Sequence, residues 1–187
     1  MSSGAVTLAI LLLLASESSA DEPSVPISLQ AELTCKLVKF DRNFAVRAGD
    51  KAMVLIVFKK GGVDSERIAK QLKAAFETQS TLGGVAHEET LLTYSGPAAL
   101  LAEAKKKKAA LIILSPGVSA DAQAIAKAFD GYDGVTISTS VEGVEQGIVL
   151  GFDLVSGKPK MLLNLEQARR QNADFRSEVL RLMKVYP

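Results

Sequence analysis

The chain has 187 residues, with 22 basic and 21 acidic side chains, a formal charge of +1 and an apolar content of 48%. That balance leaves no basis for an electrostatic nucleic-acid binder or a polybasic membrane-surface protein, and the apolar fraction excludes a disordered chain. Trp is absent and aromatics make up 5%, which argues against stacking platforms for carbohydrate or single-stranded nucleic acid.

Met1–Gly4 is a short polar start, Ala5–Ala15 is an apolar run containing Leu11–Leu14, and Ser16–Ala20 is small and polar. This pattern predicts a secretory signal at residues 1–20, cleaved after Ala20, and hence a protein that works outside the cytoplasm. A bilayer span needs roughly 20 apolar residues and this run is about half that, so a permanent transmembrane helix is not expected. No Lys or Arg precedes the run, which departs from the usual signal. Glu17 is the only charged side chain in the signal, so the mature chain has 22 basic against 20 acidic residues, a charge of +2. A flexible leader over residues 21–27 holds Pro23 and Pro26, and residues 28–187 read as one α/β domain.

A helix is predicted from Ser28, as N-cap, to Phe40. Leu29, Leu33, Leu37 and Phe40 form one apolar stripe, and Ala31, Cys35 and Val38 a second about half a turn away. Such a helix is either sandwiched within its own domain or offers one stripe to a partner, and the second stripe favours a homodimer. Cys35 is the only cysteine, so no internal disulfide forms. It reads as a small buried hydrophobe, with a reactive or intermolecular thiol as the sharper alternative. Asp41–Asp50 reads as a polar turn.

Next come a buried strand at Ala52–Phe58, a helix at Asp64–Glu77 and a strand at Val85–Tyr94. A helix follows at Gly96–Lys107, capped by Ser95 with Pro97 in its first turn. A strand at Ala110–Leu114, a helix at Ala120–Phe129 and a strand at Val135–Ser140 complete the alternation. Strands at Gly147–Leu154 and Lys160–Leu165 flank a turn at Val155–Pro159, and a last helix starts near Glu166 or Asp174 and ends at Val185. The fold class expected is α/β: a mostly parallel sheet flanked by helices, with a C-terminal antiparallel hairpin and a final helix.

The residues offer little for catalysis. His87 is the only histidine; followed by Glu88-Glu89 it makes no zincin motif and reads as solvent-facing. No metal or cofactor is expected, and no enzymatic activity. Ser115 sits at the carboxyl end of a buried strand, where open α/β folds bind ligands, but lacks a nucleophile elbow and reads as a turn residue. Two loops are candidate anion sites: Lys59, Lys60, Gly61 and Gly62, and Ser115 with Gly117. Both read more readily as plain turns, with solvated lysines in the first. Lys105–Lys108 reads as a solvated helix end and Asp130–Gly134 as a turn rather than a calcium loop.

The C-terminal segment resembles the YfiR-type family of small periplasmic proteins. The resemblance lies in Gly147–Phe152, Gly157-Lys158, Leu162–Leu165 with its Asn164, Ala168-Arg169, and Phe175–Ser177 followed by Leu180, Leu182 and Val185. Phe152, Gly157, Asn164, Leu165, Ala168, Arg169, Ser177 and Leu180 are the motif positions, and Lys36–Phe40 is similar to the family's opening helix. Ser177 is expected to cap the last helix, and Asn164 to bond the turn that follows it. The resemblance implies a periplasmic regulator that binds the sensor domain of a membrane signalling protein, a diguanylate cyclase. Paired cysteines found in some members are absent, and Asp41–Phe44 replaces an aromatic-Pro pair. The alternative is a periplasmic receptor for a small anionic ligand at the carboxyl edge of the sheet.

Overall fold

The computed structural model describes residues 23–187; the expected export signal lies outside them. The strands are β1 (Lys51–Phe58), β2 (Ala86–Thr93), β3 (Ala109–Leu114), β4 (Val135–Ser138), β5 (Leu150–Val155), β6 (Lys158–Asn164) and β7 (Lys184–Tyr186). They form one sheet in the order β2-β1-β3-β4-β5-β6-β7. Neighbours from β2 across to β5 are parallel, β6 is antiparallel to β5, and β7 is parallel to β6. The fold class is α/β, as the strand–helix alternation predicts. Every residue of β3 is buried, which is why it reads as a continuous apolar run.

The helices are α1 (Ile27–Leu37), α2 (Phe44–Ala48), α3 (Val63–Glu77), α4 (Pro97–Lys107), α5 (Ala122–Ala128), α6 (Val141–Glu145), α7 (Leu165–Arg170) and α8 (Ser177–Leu180). Side chains alternate along a strand, so β1 feeds two cores. Val54 and Ile56 pack with α1, α3 and the C-terminal segment around Phe76, Phe152 and Leu163. Leu55 and Val57 pack with α4 and α5 around Leu100, Ile125 and Phe129.

Several expected elements differ in detail. α1 starts at Ile27 with Pro26 in the cap position, so Ser28 is not its cap, and its end tightens into a 3-10 turn at Val38–Phe40. Its innermost face is Gln30, Ala31, Thr34, Cys35 and Val38, with Leu29 and Leu33 as half-buried flanks on the same core. Gln30 and Thr34 tolerate burial because each is bonded: Gln30 Nε2 donates to the Val25 carbonyl at 2.9 Å and Thr34 Oγ1 to the Gln30 carbonyl at 2.8 Å. The Asp41–Asp50 segment holds α2, anchored by buried Phe44. Gly96 rather than Ser95 precedes α4, with no side-chain cap. β4 ends at Ser138 and a short α6 follows.

The hairpin turn has only two residues, Ser156 and Gly157, both at positive φ (51° and 73°). That is the type I′ geometry matching the twist of paired strands. The single final helix expected from the sequence is instead α7, α8 and the strand β7. The run Val179, Leu180, Leu182, Met183, Val185 fits a helical stripe, yet the chain turns after Leu180, and Lys184–Tyr186 pairs with β6.

Candidate functional site

β1 connects forward to β2 on one side and lies beside β3 on the other. The chain therefore leaves β1 and β3 in opposite directions, and a crevice opens outside their carboxyl ends, where open α/β sheets take ligands. The two candidate loops meet there. Lys59, Gly62, Val63, Asp64, Ser65, Pro116 and Gly117 line a cleft of about 200 Å³, while Lys60 and Gly61 stand exposed beside it.

Most polar groups of this crevice already have partners. Ser115 is fully buried. Its Oγ donates to the Val57 carbonyl at 2.8 Å and lies 2.8 Å from Ser65 Oγ. Ser65 Oγ accepts the Lys59 N–H at 2.8 Å. Ser115 thus ties β1 to β3 and to the start of α3, the role of an ordinary turn residue. The Gly61 N–H donates to Glu66 Oε1 at 3.0 Å and the Gly62 N–H to the Lys59 carbonyl at 3.1 Å. Asp64 and Glu66 in the first turn of α3 supply the negative charge that a helix start favours. Gly117 has φ +81°, and a Cβ there would lie 3.7 Å from Lys59 Cδ. Two groups remain open to an anion: the ammonium groups of Lys59 and Lys60, exposed and without an ion pair among the described residues. On the other side of the edge, the Tyr94 hydroxyl donates to Asp121 Oδ2 at 2.8 Å. Burial, and then Asp121, push that phenol well above its ordinary pKa.

His87 is not solvent-facing. Its side chain is 6% exposed, with Nδ1 2.5 Å from Glu89 Oε1, itself 5% exposed, and Nε2 3.1 Å from the Gln79 carbonyl. β2 places both residues on the face under α3, which the alternation His87, Glu89, Leu91 foreshadows. Cys35 is buried and free, its thiol pushed up to about 12 by burial and secondarily by Glu89. Both stripes of α1 are taken up within the domain, including the one behind the expectation of a homodimer.

The motif positions at the C-terminus are largely structural. Phe152 and Ala168 are buried, Leu165 and Leu180 are half-buried, and Arg169 is exposed. Gly157 makes the hairpin turn. Asn164 caps α7: its Oδ1 accepts the Gln167 N–H at 2.9 Å and its Nδ2 donates to the Val144 carbonyl at 3.2 Å. Ser177 does not cap α8; it is the helix's first residue, after Arg176 in the cap position, and its hydroxyl lies 3.4 Å from Glu178 Oε2. Nothing in the residue pattern marks the buried arginine Arg47 between Asp41 and Asp133; Asp41 and Arg47 lie in a stretch that reads as polar turn.

Strand order and crevice define an open-sheet, doubly wound α/β protein whose switch-point loops have most of their polar groups bonded within the fold. More particularly, the chain belongs to the YfiR/HmsC-like family, whose model matches residues 28–184. No curated protein matches the sequence. Among solved structures, it is similar to the ABC domain in complex with L-Trp from Streptococcus pneumonia, at 12% identity and a TM-score of 0.60, over 86% of this chain and 61% of that one. A conserved domain protein from Vibrio cholerae O1 biovar eltor is similar at 15% identity and a TM-score of 0.57, over 86% and 60%. CD0873 from Clostridium difficile, a substrate binding protein with adhesive properties in its ligand-free, open structure, is similar at 11% identity and a TM-score of 0.55, over 77% and 57%. The chain thus spans about three fifths of the length of these structures, and the likeness is one of fold. No helix among the described residues is long and apolar enough to cross a membrane.

Proposed function

We propose that this protein is a periplasmic regulator of the YfiR type that acts by binding the periplasmic sensor domain of a membrane signalling protein, a diguanylate cyclase. The observation that carries this reading is the family match over residues 28–184. The crevice geometry supports it: Ser115, the serine at the carboxyl edge of the sheet, is fully buried and bonded to Val57 and Ser65. The test is intracellular cyclic-di-GMP in the host cell, read with a fluorescent reporter. Expression of the full chain lowers the signal, and expression of a chain lacking residues 1–20, which stays in the cytoplasm, leaves it unchanged. An unchanged signal at every expression level of the full chain overturns the reading.

A second reading, a receptor for a small anion, is favoured by one observation: Lys59 and Lys60 stand at the switch point without ion pairs among the described residues. A bound anion raises the melting temperature. A thermal-shift screen with phosphate, carboxylates and nucleotides therefore decides it: a shift abolished by Lys59→Ala with Lys60→Ala supports it, and no shift removes it.

A further inference from the structure

Beyond the body of the sheet, β5 and β6 continue as a two-stranded arm. β5 pairs with β4 only at Leu150, opposite Ile137, and β6 pairs with β7 only from Leu162 to Asn164. Between Phe152 and Met161 the two strands pair only with each other. Near its tip the edges of this arm offer no free N–H group to an added strand. In a two-residue hairpin the pair beside the turn, here Val155 and Lys158, turns its hydrogen bonds inward, so the next pair faces outward. That pair is Pro159, which has no N–H, and Leu154, whose N–H is taken by Asp153 Oδ1 at 2.7 Å.

The arm's faces differ, because side chains alternate along each strand. One face carries Leu154, Pro159 and Met161, and continues to Val185 beside Leu163. Leu154 and Val185, and Leu182 three residues before Val185 in the chain, are 40%, 42% and 60% exposed. The other face carries Lys158 and Lys160 with Val155 against a single acid, Asp153; neither lysine has an ion pair among the described residues. Residues 151–187 hold seven basic and four acidic side chains, an excess of three where the whole chain has one.

We infer that this arm, with the C-terminal segment beside it, docks into a cleft of a protein partner that has one apolar wall and one acidic wall. The inference rests on the regulatory reading above and names the surface used. A bilayer offers a single plane, whereas here Lys158 and Lys160 lie on the face opposite to Leu154 and Val185; a cleft meets both at once.

The test uses the cyclic-di-GMP reporter with the full exported chain. Leu154→Glu with Leu182→Glu alters the apolar face, Lys158→Glu with Lys160→Glu the cationic one, and Lys105→Glu with Lys108→Glu serves as a remote charge control. Leu154→Gln with Leu182→Gln replaces the first pair if its melting curve departs from wild type. Each arm pair is expected to raise the expression level needed for half-maximal effect by about tenfold or more, with the control unchanged. Arm variants that act like wild type overturn the docking surface while leaving the regulatory reading intact. A wild-type chain without effect overturns the regulatory reading, and this surface's role with it. Wild-type binding to vesicles of phosphatidylcholine and phosphatidylglycerol that is lost in the arm variants assigns the surface to lipid and overturns the inference.

Discussion

Arg47, with 2% of its side chain exposed, donates to Asp41 Oδ2 at 2.6 Å, to Asp133 Oδ1 at 2.9 Å and to the Asn172 carbonyl at 2.9 Å. Asp41 Oδ1 in turn accepts the N–H groups of Asn43 and Asp174. One guanidinium thus joins the segment before β1, the turn before β4 and the loop after α7. Replacing Arg47 by Met leaves Asp41 buried without its cation, and removal of one partner from a buried pair costs about 3–5 kcal/mol. The expected outcome is a fall of that size in urea-unfolding free energy, and a smaller loss when Asp41→Asn is added, because the two residues act as one unit. Cys35 carries a different prediction. Its thiol is raised from 9.0 to about 12, so the folded state holds a proton that the unfolded chain releases. The stability tied to that proton is complete below pH 9 and is lost as pH rises from there toward 12. Titration of unfolding free energy with pH should show this alkaline decline, with a shallower slope in Cys35→Ala. At pH 8 the native thiol should react slowly with a disulfide reagent and the urea-unfolded thiol rapidly. At this scale the burial of Cys35 was legible from its apolar neighbours. The Arg47 site was not, because its partners are brought together only by the fold.

The short helix α6 shows what the sequence of an element conceals. It packs against the sheet where β5 presents Gly151, and a Cβ on Gly151 would lie 2.5 Å from Val144 Cγ2. On the helix side, a Cβ on Gly143 would lie 2.2 Å from Ser138 Oγ. Glycines in both layers permit the close approach. Val141–Glu145 contains one of them and spans little more than a turn, so helical periodicity has no room to show. Gly151→Ala should therefore overpack the contact and cost about 1–3 kcal/mol, seen as a lowered urea midpoint with an unchanged slope. Gly157→Ala, with open space around the Cβ but φ +73°, should lose less, in proportion to backbone strain alone. The longer elements were legible because their patterns are unambiguous. β1 and β3 are continuous apolar runs, and α3 buries Ile68, Leu72 and Phe76 at helical spacing. β7 was not, since three residues carry no period and the apolar run before it is equally good as a helix.

Across the whole molecule, alternating strands and helices predict a parallel sheet, but the order of strands depends on which side each crossover takes, and no local pattern records that. The switch point between β1 and β3 brings Lys59 beside Gly117, although each loop alone reads as an ordinary turn. The fold also joins its two ends. The Arg176 N–H donates to the Phe40 carbonyl at 2.9 Å and the Arg42 N–H to the Asp174 carbonyl at 3.0 Å. Arg42 Nη1 reaches Asp174 Oδ1 at 2.8 Å. Phe175, Val179 and Met183 are 5%, 3% and 7% exposed and belong to the same core as Cys35 and Leu37 of α1. Burial of three such side chains contributes about 1.5–3 kcal/mol each. Their sum, about 5–9 kcal/mol, is comparable with the total stability of about 5–15 kcal/mol typical of a domain. A chain ending at residue 172 should therefore fail to fold, giving a far-UV spectrum without a cooperative melt. In a chain comprising residues 21–187, the C-terminal segment and α1 should unfold together. Cys35 is the natural reporter, because Trp is absent and the thiol lies under α1. Thiol labelling and far-UV circular dichroism should give the same urea midpoint. Labelling that runs ahead of the circular dichroism would show that α1 detaches first, and that the contacts between the chain ends do not bind the helix to the sheet.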